Sequence, residues 1–307
     1  MTVDERSAAN ATADFVQGLV ELSRLGNVLA AGALTFIGAF TVLPLTSGSE
    51  DVAAMGFAVG ATVFATAAGN AINDYFDADI DAINRPNRAI PRGAVSEREA
   101  LVFSACLFLG AVVCALQLPP AAIAVAVVNL LALVAYTKFF KGLPGVGNVV
   151  VGYLTGSTFL FGGLAVLDSA SDPYSLPTLP VGLLVLFALA ATATFTREAV
   201  KDVEDLEGDR QEGLRTLPIV LGERPTLWLG VVAMVAAVAA SGLPYLVGTF
   251  GRLYLALIVP ADGLLLGATV HSFRDPTRSQ ELLKTGMLLA SGAFLVSRVA
   301  VLVGFTL

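Results

Sequence analysis

Apolar residues occur in nine runs, each ended by a polar or charged break. A helix that crosses a bilayer needs about 20 mostly apolar residues. Runs of that order lie at about 25–45, 52–72, 100–118, 121–137, 146–167, 179–199, 226–247, 253–272 and 282–304. The third and fourth are the shortest and are joined by Gln117-Leu118-Pro119-Pro120, a tight turn. None shows the alternation of a barrel strand. The pattern predicts an all-α polytopic membrane protein with nine transmembrane helices.

The breaks alternate in character, and this sets the orientation. Short or uncharged connections follow spans one, three, five and seven. Long charged ones follow spans two, four, six and eight. Of the 18 basic residues, 16 fall before span one or in the charged connections, Arg252 alone lies on the other side, and Arg298 is inside span nine. Basic residues collect on the cytoplasmic side. The N-terminus and the charged connections are therefore expected in the cytoplasm, and the C-terminus outside. An odd number of spans follows, and the chain is expected to sit in the cell membrane.

Composition supports lipid as the solvent. The chain is 56% hydrophobic and 14% charged, against roughly 25% charged in an ordinary soluble domain. The polar, acidic N-terminus does not read as a cleavable signal peptide. Cys106 and Cys114 lie eight residues apart in one apolar run, about 12 Å along a helix and too far for a disulfide. A single histidine, His271, rules out a Cys/His metal site. Net charge is −7, which argues against nucleic acid as a partner. The basic residues are 14 Arg and only 4 Lys. Acid excess with little lysine suggests a salt-adapted source.

The acid is not evenly spread. The connections after spans two and six carry 14 of the 25 acidic residues. Their spacing repeats: Asn70, Asp74, Asp77 and Asp81 in the first, and Glu198, Asp202, Asp205 and Asp209 in the second, at a constant offset of 128 residues. Arg88-Ala-Ile-Pro91 and Arg215-Thr-Leu-Pro218 match next, at an offset of 127. This is an internal half-repeat within one domain spanning 1–307, with acidic segments at 70–91 and 198–218. Sites in such proteins lie at repeat interfaces, so the two segments are expected to face a central cavity.

Steps of four, three and four put each set on one face of a helix that continues out of its span. Carboxylates stacked this way repel each other, so a cation is expected. Magnesium takes oxygen ligands, using few carboxylates together with waters and phosphate oxygens. The two stripes could hold two or three Mg2+ ions and, through them, a diphosphate. Arg88 and Arg215 follow the stripes, and Lys138 and Lys141 lie between them. Arginine and lysine pair with phosphate oxygens, and such a site would stabilise a departing diphosphate.

At this point the chain resembles the UbiA superfamily of membrane prenyltransferases. Asn73-Asp74-Tyr75-Phe76-Asp77-Ala78-Asp79-Ile80-Asp81 resembles the first aspartate-rich motif of that family, and Asp202-Val-Glu-Asp205-Leu-Glu-Gly-Asp209 its second. The run Ile83 to Pro91, and Arg197-Glu198 leading through Lys201-Asp202 to Arg215-Thr216-Leu217-Pro218, look most like the archaeal digeranylgeranylglyceryl phosphate synthases. The resemblance implies transfer of a geranylgeranyl group from its diphosphate to a lipid-like phosphate acceptor, geranylgeranylglyceryl phosphate, forming the second ether bond of archaeal membrane lipid. It implies that Asp74, Asp77, Asp202 and Asp205 bind Mg2+–diphosphate, with Asp81 and Asp209 assisting. It implies polar contacts to substrate from Asn27, Asn70 and Asn73, and roles for Tyr136 and Lys141, which here stand five apart where four is expected.

Two alternatives stay open on sequence alone: a relative with an aromatic acceptor (a quinone or chlorophyll precursor), and a cation-coupled transporter. Nothing in the pattern calls for an obligatory protein partner. Asp262 in span eight and Arg298 in span nine are charges at membrane depth, which are usually paired or functional. The expectation is that they form an ion pair.

Overall fold

A computed structural model describes residues 3–43, 48–136, 140, 143–167, 179–211 and 213–305. These residues form fourteen helices and no strand. In chain order they are α1 (Val3–Ser23), α2 (Leu25–Val42), α3 (Ser49–Phe76), α4 (Ala78–Asn84), α5 (Glu97–Ala115), α6 (Pro120–Ala135) and α7 (Val146–Val166). Then come α8 (Val181–Glu204), α9 (Leu206–Gln211), α10 (Leu217–Leu221), α11 (Glu223–Ser241), α12 (Leu243–Leu246), α13 (Arg252–His271) and α14 (Pro276–Leu302).

Eight segments are long and apolar enough to cross a membrane: α2, α3, α5, α7, α8, α11 with α12, α13 and α14. The remaining run expected from sequence is α6, an apolar helix of 16 residues. The chain is an all-helical, multi-pass membrane protein. Helix ends follow local chemistry. Ser96 and Glu99 form a capping box at the start of α5, with the Glu99 carboxylate accepting from the Ser96 amide at 2.8 Å. Pro120 opens α6, where its missing N–H is not needed. The Asp275 side chain accepts from the Arg278 amide at 2.9 Å and starts α14.

Two compact units make up the chain. The first comprises Met1–Ala33 and Gly56–Leu118. In it, α1 is an amphipathic helix outside the spans. It buries Leu22, with Phe15 and Leu19, against Ala71, Ala89, Val95 and Ala100. Gly18 lets α1 come close: a Cβ there would lie 2.6 Å from Val95 Cγ2. The Ser104 hydroxyl donates to the Ala68 carbonyl at 3.0 Å and ties α5 to α3.

The second unit comprises Leu34–Met55 and Pro119–Leu307. Its largest core cluster includes Ile37, Phe159, Leu183, Tyr254, Ile258 and Phe294. Lipid tails give no hydrophobic drive between helices, so small residues and close backbone approach hold them together. A Cβ at Gly152 would stand 2.6 Å from the Ala191 carbonyl oxygen, and one at Gly156 2.7 Å from that of Phe187, where α7 meets α8. Gly38 of α2 and Gly162 of α7 meet in the same way, each against backbone of the other helix: Phe159 and Thr35. A Cβ at Gly162 would overlap the Thr35 carbonyl, and backbone cannot turn aside as a side chain can. Gly162→Ala is expected to cost about 1–3 kcal/mol through overpacking, read as a lower Tm of the detergent-solubilised protein, whereas Gly292→Ala, where a Cβ meets nothing within 4 Å, leaves Tm unchanged.

Asp262 and Arg298 do not pair. The Ser241 hydroxyl lies 2.6 Å from Asp262 Oδ2, and the Tyr254 hydroxyl donates to the Ser241 carbonyl at 2.7 Å, so Asp262 belongs to a seam between α11 and α13. Arg298 Nε donates to the Phe40 carbonyl at 3.2 Å, and its Nη2 to that of Leu43. A cation there meets the negative end of the α2 dipole and its unpaired carbonyls. Depth along two helices was the basis for expecting a pair, and depth does not set the direction in which each side chain leaves its helix. Arg298→Leu is expected to destabilise by about 1–3 kcal/mol, the cost of stranded buried acceptors. Its loss should add to that of Asp262→Ala without coupling; thermal unfolding of both single variants and the double variant measures this.

Candidate functional site

Each acidic stripe is carried by a membrane-spanning helix that runs on past its apolar part and then breaks. α3 ends at Phe76 and α4 begins at Ala78; α8 ends at Glu204 and α9 begins at Leu206. The residue at each break is the third of its stripe. Asp77 has φ −92° and ψ 6°, and Asp205 has φ −86° and ψ 3°. Hydrogen bonds still cross both breaks. Asp77 N reaches the Asn73 carbonyl at 2.9 Å and Asp81 N that of Asp77 at 2.8 Å; Asp205 N reaches Lys201 and Asp209 N reaches Asp205, both at 2.9 Å. The repeat seen in the sequence is thus also a repeat of local backbone. The expected continuation of each span holds, with one bridge-region residue in each.

In the first unit, one face gathers four charges. Arg24 donates to Asp74 Oδ1. Arg88 Nη1 donates to Asp74 Oδ1 at 3.2 Å and also to Asp81 Oδ2. Shared binding by Arg88 puts Asp74 and Asp81 on one side of the broken helix, as the spacing predicts. Both carboxylates are buried. Arg24 stands between α1 and α2 at φ +52°, the one non-glycine residue in the left-handed region among the described residues. Such a conformation costs about 1–3 kcal/mol and persists where its surroundings impose it. Here Asn70 Nδ2 donates to the Ser23 carbonyl at 2.9 Å and pins the corner. Asn70 therefore gives one of its amide N–H groups to backbone and keeps its Oδ1 as an acceptor. Asn73 and Asp77 are half-buried on the same segment, and Asn27 is exposed at the start of α2.

Arg92 turns to carboxylates of α1. It pairs with Glu21 and with Asp14 of α1, the latter at 3.2 Å. Its hydrogen bond holds the Glu21 carboxyl below the usual range.

In the second unit the compensation is different. Asn148 Nδ2 donates to Asp202 Oδ2 at 2.8 Å. Arg197 and Lys201 turn to Glu198, at 3.1 and 3.9 Å. No described Arg or Lys forms an ion pair with Asp202, Asp205 or Asp209. Burial raises the Asp205 carboxyl above its usual range; Lys201 pulls the other way, and Asp209 and Glu204 repel. Gly145, left-handed at φ +75°, opens α7 and sets Asn148 in its first turn. Tyr136 borders the same turn: a Cβ at Gly147 would meet its ring at 3.4 Å. Arg215 is exposed and makes no ion pair with another described residue, unlike Arg88. Lys138 and Lys141 lie outside the described residues.

Among the described residues, no three Asp, Glu, His or Cys side chains converge into a closed metal cage. Magnesium does not need one, because waters and substrate phosphates fill most of its octahedron. The donors are all oxygens. Asp74 Oδ2 and Asp202 Oδ1 stay outside the described hydrogen bonds and ion pairs, so the donor set fits that ion. Arg24 and Asn148 were missed as site residues from sequence. Asn148 could have been found as a polar residue inside an apolar run; Arg24 carries no such sign.

A family model described as the UbiA prenyltransferase family matches residues 29–295. The chain is 59% identical to a Natronomonas pharaonis protein named digeranylgeranylglyceryl phosphate synthase, over 93% of this chain and 98% of that relative. A solved structure concerning digeranylgeranylglyceryl phosphate synthase in membranes aligns with a TM-score of 0.77 at 33% identity, covering 93% of this chain and 99% of that one. A UbiA homolog from Archaeoglobus fulgidus, bound to GPP and Mg2+, shares the fold, with a TM-score of 0.65 at 18% identity over 93% of this chain and 99% of that one. These matches exclude the transporter reading: the chain belongs to the UbiA prenyltransferase family and is an enzyme of prenyl transfer.

Proposed function

We propose that this enzyme transfers a geranylgeranyl group from its diphosphate to geranylgeranylglyceryl phosphate, forming the second ether bond of archaeal membrane lipid. The observation that carries this choice of acceptor is the 59% identity to the Natronomonas pharaonis relative across nearly the whole chain. Asp74, Asp77, Asp202 and Asp205 would hold Mg2+–diphosphate, with Asp81 and Asp209 in support. Magnesium held there would supply positive charge that makes the diphosphate a better leaving group when the C–O bond to the prenyl chain breaks. Arg88, Arg215, Lys138 and Lys141 pair with phosphate oxygens, and Asn27, Asn73 and Tyr136 contact substrate. The acceptor hydroxyl oxygen forms the new bond to the primary prenyl carbon, and its proton passes to the released diphosphate or to an aspartate.

The chain spans the membrane nine times, α6 included. Its 16 residues cover about 24 Å at 1.5 Å each, a mismatch that local thinning of the bilayer accommodates. With nine spans and an N-terminus in the cytoplasm, both acidic segments lie on the cytoplasmic side.

Membranes containing the enzyme, incubated with radiolabelled geranylgeranyl diphosphate, Mg2+ and a panel of acceptors, test the reading. Label should pass to geranylgeranylglyceryl phosphate. Transfer to an aromatic acid or a chlorophyll precursor instead would reassign the acceptor.

A further inference from the structure

At one end of α11 and α13 the second unit opens into two adjoining clefts that play no part in the proposed chemistry. One, about 440 Å³, is lined mainly by apolar groups, Trp228, Val231, Gly267 and Val270 among them. The other, about 570 Å³, is more polar and takes in Arg224 and Ser272. Trp228, Phe273 and Arg274 line both, so the two are continuous. The rings of Trp228 and Phe273 meet edge to face, with centroids 5.4 Å apart. Trp228 is 59% exposed and so is Val270, an amount of apolar surface that suits the edge of a bilayer, where tryptophan concentrates.

The charge of this corner runs against that of the chain. Net charge is −7, yet the clefts bring together Arg224, Arg274 and His271 with Glu223 as their one carboxylate. Neither arginine forms an ion pair with another described residue. No carboxylate of the acidic stripes lines either cleft. Below the basic end, Gly263 and Gly267 lie one turn apart on α13, both exposed, and a Cβ at either meets nothing within 4 Å. Gly267 lines the apolar cleft, and with no side chain on either glycine the helix surface is bare for one further turn of the span, a furrow one turn long.

We infer that this corner binds one anionic phospholipid of the surrounding bilayer, its phosphate between Arg224 and Arg274 and one chain in the furrow over Gly267 and Gly263. Charge and shape point to the same ligand: a fixed anion at the membrane surface joined to a chain running into the membrane. A free phosphate would leave the furrow without a purpose, and a zwitterionic lipid would leave the arginines unbalanced.

Native mass spectrometry of the full-length protein in detergent tests this, with phosphatidylglycerol and phosphatidylcholine of identical chains as probes. One phosphatidylglycerol should be retained in preference to phosphatidylcholine. Arg224→Ala and Arg274→Ala should each weaken retention roughly fivefold, the effect of one basic residue near an anionic surface. Arg274→Lys should keep the lipid. Gly267→Leu should lose it with both arginines in place, and Arg252→Ala, at the opposite end of α13, should not. Equal retention of the two lipids, equal loss in Arg252→Ala, or displacement of the lipid by inorganic phosphate would overturn the assignment.

Discussion

Asp202→Ala is expected to lower magnesium-dependent prenyl transfer by about 10³-fold, and Asp74→Ala to do the same, since preorganised electrostatic groups are worth about that much in an active site. The two substitutions should differ in what else they do. Asp202 accepts a hydrogen bond from Asn148, a neutral donor. Asp202→Asn keeps an acceptor oxygen for that bond and should fold with unchanged Tm while losing transfer. Asp74 balances Arg24 and Arg88. Removing it leaves Arg24 without its carboxylate and Arg88 with Asp81 alone, so Asp74→Ala should lose stability as well as activity. Turnover across a magnesium titration, with Tm in the same detergent, separates the two losses. Normal turnover in either folded alanine variant would sink the assignment of these aspartates.

Much of this architecture could be read from the chain because lipid is a simple solvent. The run at 52–72 became α3 (Ser49–Phe76) and that at 253–272 became α13 (Arg252–His271), because an apolar stretch of the right length has one stable arrangement in a bilayer. The one-sided stripe was also legible: a helical period places Asp74 and Asp81 on one face, and Arg88 binds both. The breaks at Asp77 and Asp205 were not, since a continuous helix satisfies the same spacing. Nor was the acidic N-terminus legible as a helix packed on the turn around Val95, because that depends on tertiary contacts of Leu22 and Gly18.

The side chains read least well were those whose partners are distant in sequence. Arg24 meets Asp74 across 50 positions, and Arg298 meets Phe40 across 258. Periodicity gives the face a residue occupies on its own helix and says nothing of which other helix that face meets. The same limit explains Asn70. Its place in the repeat, opposite Glu198, did not show that one of its amide N–H groups holds the Ser23 carbonyl beside the left-handed corner at Arg24. The two acidic segments share a backbone and a spacing, and each secures its carboxylates with different neighbours: arginines in the first, an asparagine in the second.

That difference makes Arg88→Gln the more revealing substitution. Arg88 neutralises Asp74 and Asp81 together, and in the proposed reaction it also pairs with a diphosphate oxygen. Its loss should lower kcat by about 10²-fold, the low end for one electrostatic donor. Affinity for magnesium should rise as the rate falls. With Arg88 gone, Asp81 keeps no described cation and Asp74 keeps only Arg24, so the stripe is more negative and attracts a divalent ion more strongly. The magnesium concentration for half-maximal rate should therefore fall in Arg88→Gln and rise in Asp81→Asn. A residue that merely held the fold together would instead lower Tm and leave that concentration unchanged. Arg215→Gln offers the contrast, because Arg215 is exposed and pairs with no described carboxylate: kcat should fall, while the half-maximal magnesium concentration stays where it was. A rise of that concentration in Arg88→Gln would show that Arg88 does not compete with the ion for Asp74 and Asp81.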